Sequence, residues 1–264
     1  MKRGWTTMKD IRVTILGSGT CVPSLERSAS SVLVEIYEKK LVFDMGMGTI
    51  GRLLEKGVGI SEVSHLFFSH LHPDHTGEFV PFIFASKYPK NRRRQLPLTI
   101  VAASGFGLFY NRLRDVYGDW IDLGEGMIDV IECDNSSSDH RSLGFVDVYT
   151  RPMEHIESSI GYRLETPDGI SIVYTGDTDY CQSAVDLARD VDLLICESAL
   201  PDSMKVKGHL TPSIAGNIAR EAQVKHLVLT HFYPECDDFD IERECRNTYR
   251  GPLTLARDLL EIKL

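Results

Sequence analysis

The stretch Leu66-Phe67-Phe68-Ser69-His70-Leu71-His72-Pro73-Asp74-His75-Thr76 sets four side chains able to bind a metal directly after an aromatic, apolar run. Such a run is expected to form a buried strand, so the His/Asp cluster stands at the end of that strand. Imidazole and carboxylate groups packed this closely repel one another when like-charged, and a fold tolerates them when a cation holds them together. The bland alternative is a solvated His-rich loop. It is the weaker reading because further candidates stand at the ends of other predicted strands.

Those candidates come singly. His155 follows the strand-like stretch Val146 to Thr150 and precedes another, and Asp177 lies in Tyr174-Thr175-Gly176-Asp177-Thr178 after the run Ile170 to Tyr174. His231 closes Leu227-Val228-Leu229-Thr230-His231. Each leaves a predicted strand at its carboxyl end, where open sheets place their chemistry. His65, His140 and His226 start strands or sit in a Ser-rich loop, and read as structural or solvated.

The ordered set His-x-His-x-Asp-His, a lone His, Gly-Asp-Thr and a strand ending in Thr-His resembles the metallo-β-lactamase superfamily. Leu16-Gly17-Ser18-Gly19-Thr20-Cys21-Val22-Pro23-Ser24 and Gly208-His209-Leu210-Thr211 are similar to the branch containing ribonuclease Z, the tRNA 3′-end nuclease, and its phosphodiesterase relatives. The resemblance runs from about Ile11 to His231. It implies a four-layer αββα sandwich of α/β class, with the metal site at one edge of the two sheets. It implies one ion held by His70, His72 and His155, a second held by Asp74, His75 and His231, and Asp177 bridging them. Asp44 in Asp44-Met45-Gly46 would support the ligand loop from behind. The all nitrogen and oxygen set suits two zinc ions by default, and also manganese or iron. Pro73 stands where the nuclease usually has Gly, so a stiffer loop is expected, with no ligand lost.

Two cations about 3.5 Å apart share a water, lower its pKa and present a bridging hydroxide to phosphorus or a carbonyl carbon. Protonating the leaving group then falls to His209, whose counterpart in the resembled branch faces the substrate without binding metal. Glu197, at the end of the strand Asp192 to Cys196, is the candidate to orient His209 or share its proton; Asp74 is either a pure ligand or an aid to proton transfer. His209 also has a structural reading, as neighbour of a helix that starts at Thr211-Pro212.

The 264 residues have the apolar and charged fractions of an ordinary globule, 42% and 25%. One hydrolase domain over 1–264 is expected, with 1–10 a loose extension. Met1 to Asp10 has no apolar core, so neither a signal peptide nor a membrane span is expected, and the chain reads as cytoplasmic. Cys21, Cys133, Cys181, Cys196, Cys236 and Cys245 form no Cys-x-x-Cys pair, which fits reduced thiols. Strands are expected at Ile11 to Leu16, Ser31 to Tyr37, Leu41 to Phe43, His65 to Phe68 and Leu98 to Val101. Helical patterns follow at Glu78 to Tyr88, Gly105 to Tyr117, Tyr180 to Arg189 and Ser213 to Ala222, and a last amphipathic stretch, Pro252 to Ile262, closes the domain. Gly17-Ser18-Gly19 fails as a dinucleotide fingerprint: Val22 stands where the third glycine belongs, and Pro23 opposes a helix.

Ribonuclease Z carries a tRNA-gripping arm between the lone His and Gly-Asp-Thr. Here that interval holds only Ile160 to Leu164, the turn Thr166-Pro167-Asp168-Gly169 and Ile170 to Tyr174, a hairpin with nothing left over. A net charge of −9 also argues against a broad phosphate-binding surface. The local exception is Lys90-Asn91-Arg92-Arg93-Arg94, either a phosphate contact or a solvated loop. Phe106, Phe109, Tyr110, Tyr117 and Trp120 suit core packing, a pocket wall or a dimer face. The expectation is a dinuclear phosphodiesterase for small or cyclic phosphodiesters, with RNA cleavage by an endonuclease held open and no membrane partner. The same site acting on a carboxylic or sulfuric ester or a lactone is the alternative, and a catalytically inactive binding or regulatory protein is the reading from another class. The resemblance implies a homodimer.

Overall fold

The structure, a computed structural model, describes residues 11–88 and 93–264. The proposed loose extension at 1–10 and the Lys90-Asn91-Arg92 part of the basic run lie outside the described residues. Strand-forming runs alternate in direction of burial, and that alternation builds two layers of core. In β2 (Ser31–Ile36), Val32, Val34 and Ile36 face the second sheet while Leu33 faces outward; in β3 (Lys39–Phe43), Leu41 and Phe43 oppose Val42. In β4 (His65–Phe68), Phe67 points in and Leu66 and Phe68 point out. The period of two along a pleated strand makes this division unavoidable once one register is fixed.

With β1 (Arg12–Gly17), β5 (Leu98–Ala103), β6 (Ile128–Cys133) and β14 (Leu260–Lys263), these strands form a seven-stranded sheet in the order β14-β1-β2-β3-β4-β5-β6. The second sheet contains β7 (Asp139–Ser142), β8 (Asp147–Pro152), β9 (Ile160–Glu165), β10 (Ser171–Tyr174), β11 (Leu193–Glu197), β12 (Leu227–Thr230) and β13 (Leu253–Leu255). Its order is β13-β12-β11-β10-β9-β8-β7. Each sheet is antiparallel in one half and parallel in the other, with β3 to β6 and β10 to β13 the parallel halves. Helices α1 (Thr49–Glu55), α3 (Phe79–Lys87) and α4 (Phe106–Tyr117) cover the outer face of the first sheet through Leu53, Phe79, Phe82, Ile83 and Phe106. On the other side α5 (Gln182–Leu187) packs on β8 and β9, and α6 (Pro212–Glu221) on β11 and β12. The result is an αββα sandwich.

Aromatic contacts lock the sheets together just behind the end of β4. Phe43 stacks on Phe67 at 4.4 Å between ring centres, and Tyr162 meets both edge-on. The Tyr162 hydroxyl donates to the Phe68 and Val101 carbonyls at 2.7 and 3.1 Å, a tie from the second sheet to two strands of the first.

Two sequence expectations change here. The closing stretch 252–262 contains β13 and the start of β14, one edge strand on each sheet, because Leu253 to Leu255 find β12 and Leu260 to Lys263 find β1. Arg94, read as part of a basic surface run, is buried; its guanidinium donates to the Ile60 and Val63 carbonyls at 2.6 and 2.8 Å. Burial lowers its pKa to about 10.

Candidate metal centre

β4 delivers Ser69 and His70 to the sheet edge, and the chain then turns through α2 (Pro73–Thr76). Pro73 is the first residue of this one-turn helix, where a missing N–H leaves nothing unpaired, and it fixes His72 in extended backbone. The His72 carbonyl accepts from His75 N and Thr76 N at 3.0 and 3.1 Å, so Asp74 and His75 are set by backbone bonds. Stiffening by proline thus takes the form of a helix start.

The second sheet brings the other candidates. The hairpin β9–β10 fills the interval between His155 and Asp177, leaving room for no arm there. His70, His72 and His155 converge with His70 Nε2 and His155 Nε2 at 3.0 and 3.1 Å from His72 Nδ1. Asp74, His75 and His231 form a second group, with Asp74 Oδ2 at 3.8 and 3.7 Å from His75 Nε2 and His231 Nε2. Asp177 lies between them. Its Oδ2 is 3.8 Å from both His70 Nε2 and His155 Nε2, and its Oδ1 is 3.3 Å from both His75 Nε2 and His231 Nε2.

The residues fit divalent cations. His75 Nε2 and His231 Nε2 are buried without a hydrogen-bond partner among the described residues, and a neutral imidazole nitrogen in that position is a lone pair in need of a cation. His70 Nε2 and His155 Nε2 both crowd His72 Nδ1, which has at most one hydrogen to give the pair. Burial pushes the His70 pKa well below its ordinary value and favours the neutral, ligating form.

Groups behind the centre orient it. Asp44, completely buried, accepts from Ser69 N at 2.8 Å through Oδ1. Its Oδ2 accepts from Ser69 Oγ, His75 Nδ1 and Tyr174 Oη, each at 2.7 Å. It does so from left-handed backbone, φ +57°, as does His231 at φ +61°, conformations held by the surrounding contacts. His155 Nδ1 donates to the Gly208 carbonyl at 2.8 Å. Gly208 has φ +87° and a Cβ there would stand 3.2 Å from His155 Nδ1, so glycine lets the backbone reach the imidazole.

His209 and Glu197 form a pair beside this assembly. Glu197 Oε1 accepts from His209 Nδ1 at 3.0 Å and from Thr178 N at 2.8 Å, while Oε2 accepts from Leu210 N and Ala199 N. Burial opposes a charge on His209, but the bond to Glu197 together with the carboxylate charges of Glu197, Asp177 and Asp74 outweighs it and raises the His209 pKa. Thr211 occupies the N-cap position of α6 with Pro212 first in the helix, yet its side chain caps nothing; Asp202 accepts from Ser213 N instead.

Sequence reasoning missed a clasp around Gly208. Asp179 Oδ2 accepts from Lys205 Nζ at 2.8 Å and Gly208 N at 2.9 Å, tying the loop that bears His209 to the loop that bears Asp177. The position of Asp179, two residues past Gly-Asp-Thr's aspartate, was the available signal. The aromatic set divides: Phe106 and Tyr110 are buried, whereas Phe109, Tyr117 and Trp120 line a groove of about 810 Å³ with Leu71, Pro73 and Phe84.

Two facing mixed sheets flanked by helices, with a His/Asp cluster at their common edge, define a metal-dependent hydrolase of the metallo-β-lactamase fold. Residues 11–248 match the family model described as anti-Pycsar protein Apyc1, and the chain belongs to that family. It is 31% identical to the Mycobacterium tuberculosis protein Rv1339 over 262 residues, 95% of this chain and 91% of that protein. It is 28% identical to a Streptomyces avermitilis ribonuclease Z, over 95% of this chain and 96% of the nuclease. Among solved structures, the metallo-β-lactamase fold protein YhfI from Bacillus subtilis superposes with a TM-score of 0.82 at 21% identity, covering 97% of this chain and all of YhfI. The short form of human tRNase Z gives 0.76 at 25% identity, covering 95% and 98%.

Proposed function

We propose that the protein is a dinuclear phosphodiesterase acting on small or cyclic phosphodiesters. The observation that carries this reading is the Asp177 carboxylate, whose two oxygens each face a separate three-residue cluster. His70, His72 and His155 would hold one ion and Asp74, His75 and His231 the other, with Asp177 shared and zinc the default metal. Bound divalent cations supply an activated water at neutral pH and offset the charge that gathers on the phosphoryl oxygens. The chain's own residues do the rest. Asp44, Ser69 and the Gly208 carbonyl fix which nitrogen each imidazole turns to the centre. His209, its Nδ1 committed to Glu197, keeps Nε2 for delivering a proton to the leaving oxygen, and Glu197 holds the ring and favours its protonated form.

The hairpin at 160–174, the net charge of −9 and the buried Arg94 support small substrates over a long RNA. No described helix is long and apolar enough to cross a membrane. The exposed Phe84 on α3, Tyr117 at the end of α4 and Trp120 in the turn after it support a homodimer, and six free thiols support a cytoplasmic setting. Metal analysis, with hydrolysis of a chromogenic phosphodiester, cyclic nucleotides, a carboxylic ester and a lactone with and without chelator, tests the reading. Two ions per chain and chelator-sensitive diester cleavage are expected. His209→Ala should keep both ions and slow poor leaving groups most. Cleavage of esters or lactones alone would move the substrate class.

A further inference from the structure

Two residues beyond His231, Tyr233 stands at the rim of the centre. Its ring lies edge-on to His209 and His231, with centroids 6.3 Å from each. The backbone that carries it is pinned on both sides: Phe232 N donates to the Ser18 carbonyl at 2.9 Å, Tyr233 N to the Ala199 carbonyl at 3.0 Å, and Cys236 N back to the Tyr233 carbonyl at 3.0 Å. The loop facing it is braced as well. Arg27 pairs with Asp237 at 2.7 and 2.9 Å, joining the loop after β1 to the turn that begins at Pro234. A half-exposed aromatic side chain held so firmly is placed, not incidental.

Its hydroxyl is poorly used by the protein. The one partner of Tyr233 Oη among the described residues is the exposed Cys21 thiol, at 3.5 Å. Sulfur is a weak hydrogen-bond acceptor, so a phenol O–H, protonated at neutral pH, stands beside the centre without a strong acceptor. Other polar groups around it are committed: His209 Nδ1 to Glu197, His155 Nδ1 to Gly208 and His75 Nδ1 to Asp44. An anionic phosphoryl oxygen is the acceptor that would complete this donor.

We propose that the Tyr233 hydroxyl contacts the substrate, donating to a phosphoryl oxygen on the side where His209 meets the leaving group. The proposal rests on the phosphodiesterase reading. It makes Tyr233 a second chain-supplied donor, one that discriminates phosphodiesters from carboxylic esters and lactones, which lack a second non-bridging oxygen. Until that oxygen arrives the hydroxyl rests against the Cys21 thiol.

Tyr233→Phe keeps the ring and removes only the hydroxyl; Tyr233→Ala removes both. Metal-loaded wild type and both variants would be compared for metal content, for binding of inorganic phosphate by calorimetry, and for kcat/KM on a chromogenic phosphodiester. Tyr233→Phe should keep its metal, lose roughly 10- to 100-fold in kcat/KM, and bind phosphate about 10-fold more weakly. Tyr233→Phe equal to wild type in both measurements overturns the proposal, whatever Tyr233→Ala does, since the ring would then serve only as a wall. Loss of metal in Tyr233→Phe overturns it too, because the effect would act through the centre. A wild type that binds its metals and cleaves no phosphodiester overturns the functional reading and this inference with it.

Discussion

Replacing Asp44 with Asn tests how strongly the centre depends on the group behind it. The amide keeps the size of the carboxylate and tolerates the left-handed backbone at φ +57°, so the change is chemical and not steric. Three donors converge on Oδ2 and one on Oδ1, so the amide oxygen must face Ser69 Oγ, His75 Nδ1 and Tyr174 Oη. Its NH2 then opposes Ser69 N, leaving two buried donors face to face at a cost of roughly 1–3 kcal/mol. The three remaining bonds lose their charge, which weakens each by about 1 kcal/mol. The sum, about 4–6 kcal/mol, is a large share of a domain's net stability. Urea unfolding of chelator-treated wild type and Asp44→Asn would read it without any contribution from metal. A metal titration of the same pair should show 10- to 100-fold weaker binding, roughly, because His75 loses the acceptor that fixes its tautomer. A variant as stable as wild type with unchanged metal affinity would refute the reasoning.

Arg94→Met should destabilise the fold by about 2–4 kcal/mol, because the Ile60 and Val63 carbonyls lose a buried donor; urea midpoints read this, and unchanged stability with weakened RNA binding would return Arg94 to a phosphate-contact role. His65 is buried against Phe67 and Phe145, and burial lowers its pKa to about 4, with Lys39 adding to the effect. The unfolded chain takes up that proton near pH 6.5 while the folded chain resists, so stability falls as pH drops from about 6.5 to 4, by roughly 2–3 kcal/mol from this residue. Unfolding of chelator-treated His65→Gln over that range should show a shallower pH dependence than wild type; a slope equal to wild type would assign the acid sensitivity elsewhere.

The parallel strands were legible because they are buried on both faces and so appear as short apolar runs, as in His65 to Phe68 and Leu227 to Thr230; those runs alone give a mixed α/β fold, and the αββα sandwich came from the family resemblance. The residues that meet at the sheet edge were legible because the candidates stand at strand ends. Elsewhere the signal lay outside any local window. The start of α1 has Gly48 as its cap, and its N–H groups are taken by Glu78, which accepts from Gly48 N and Ile50 N at 2.8 and 2.6 Å from the far side of the ligand loop. No residue near 48 announces that helix. The 252–262 stretch has the polarity of a surface helix, but edges open on both sheets override that preference. Arg93 and Arg94 are adjacent and alike in sequence, yet Arg94 is buried on the Ile60 and Val63 carbonyls while Arg93 stays exposed, reaching the Leu123 carbonyl at 3.5 Å. The Asp179–Lys205–Gly208 clasp joins two loops whose proximity exists only after β10 and β11 pair.

The centre draws on both sheets, and this gives its assembly a fixed order in time. His70, His72, Asp74 and His75 emerge from the ribosome early, while His231 follows only after most of the second sheet has been made. Until then the nascent chain displays a cluster of imidazoles able to seize whichever divalent ion comes first, and β1 still lacks β14 at its side. Closing contacts of such long sequence separation is slow. Loading of the proposed ions would therefore be a late event, coupled to the last pairings of the fold, and metal supply during that interval would decide which ions the purified protein carries.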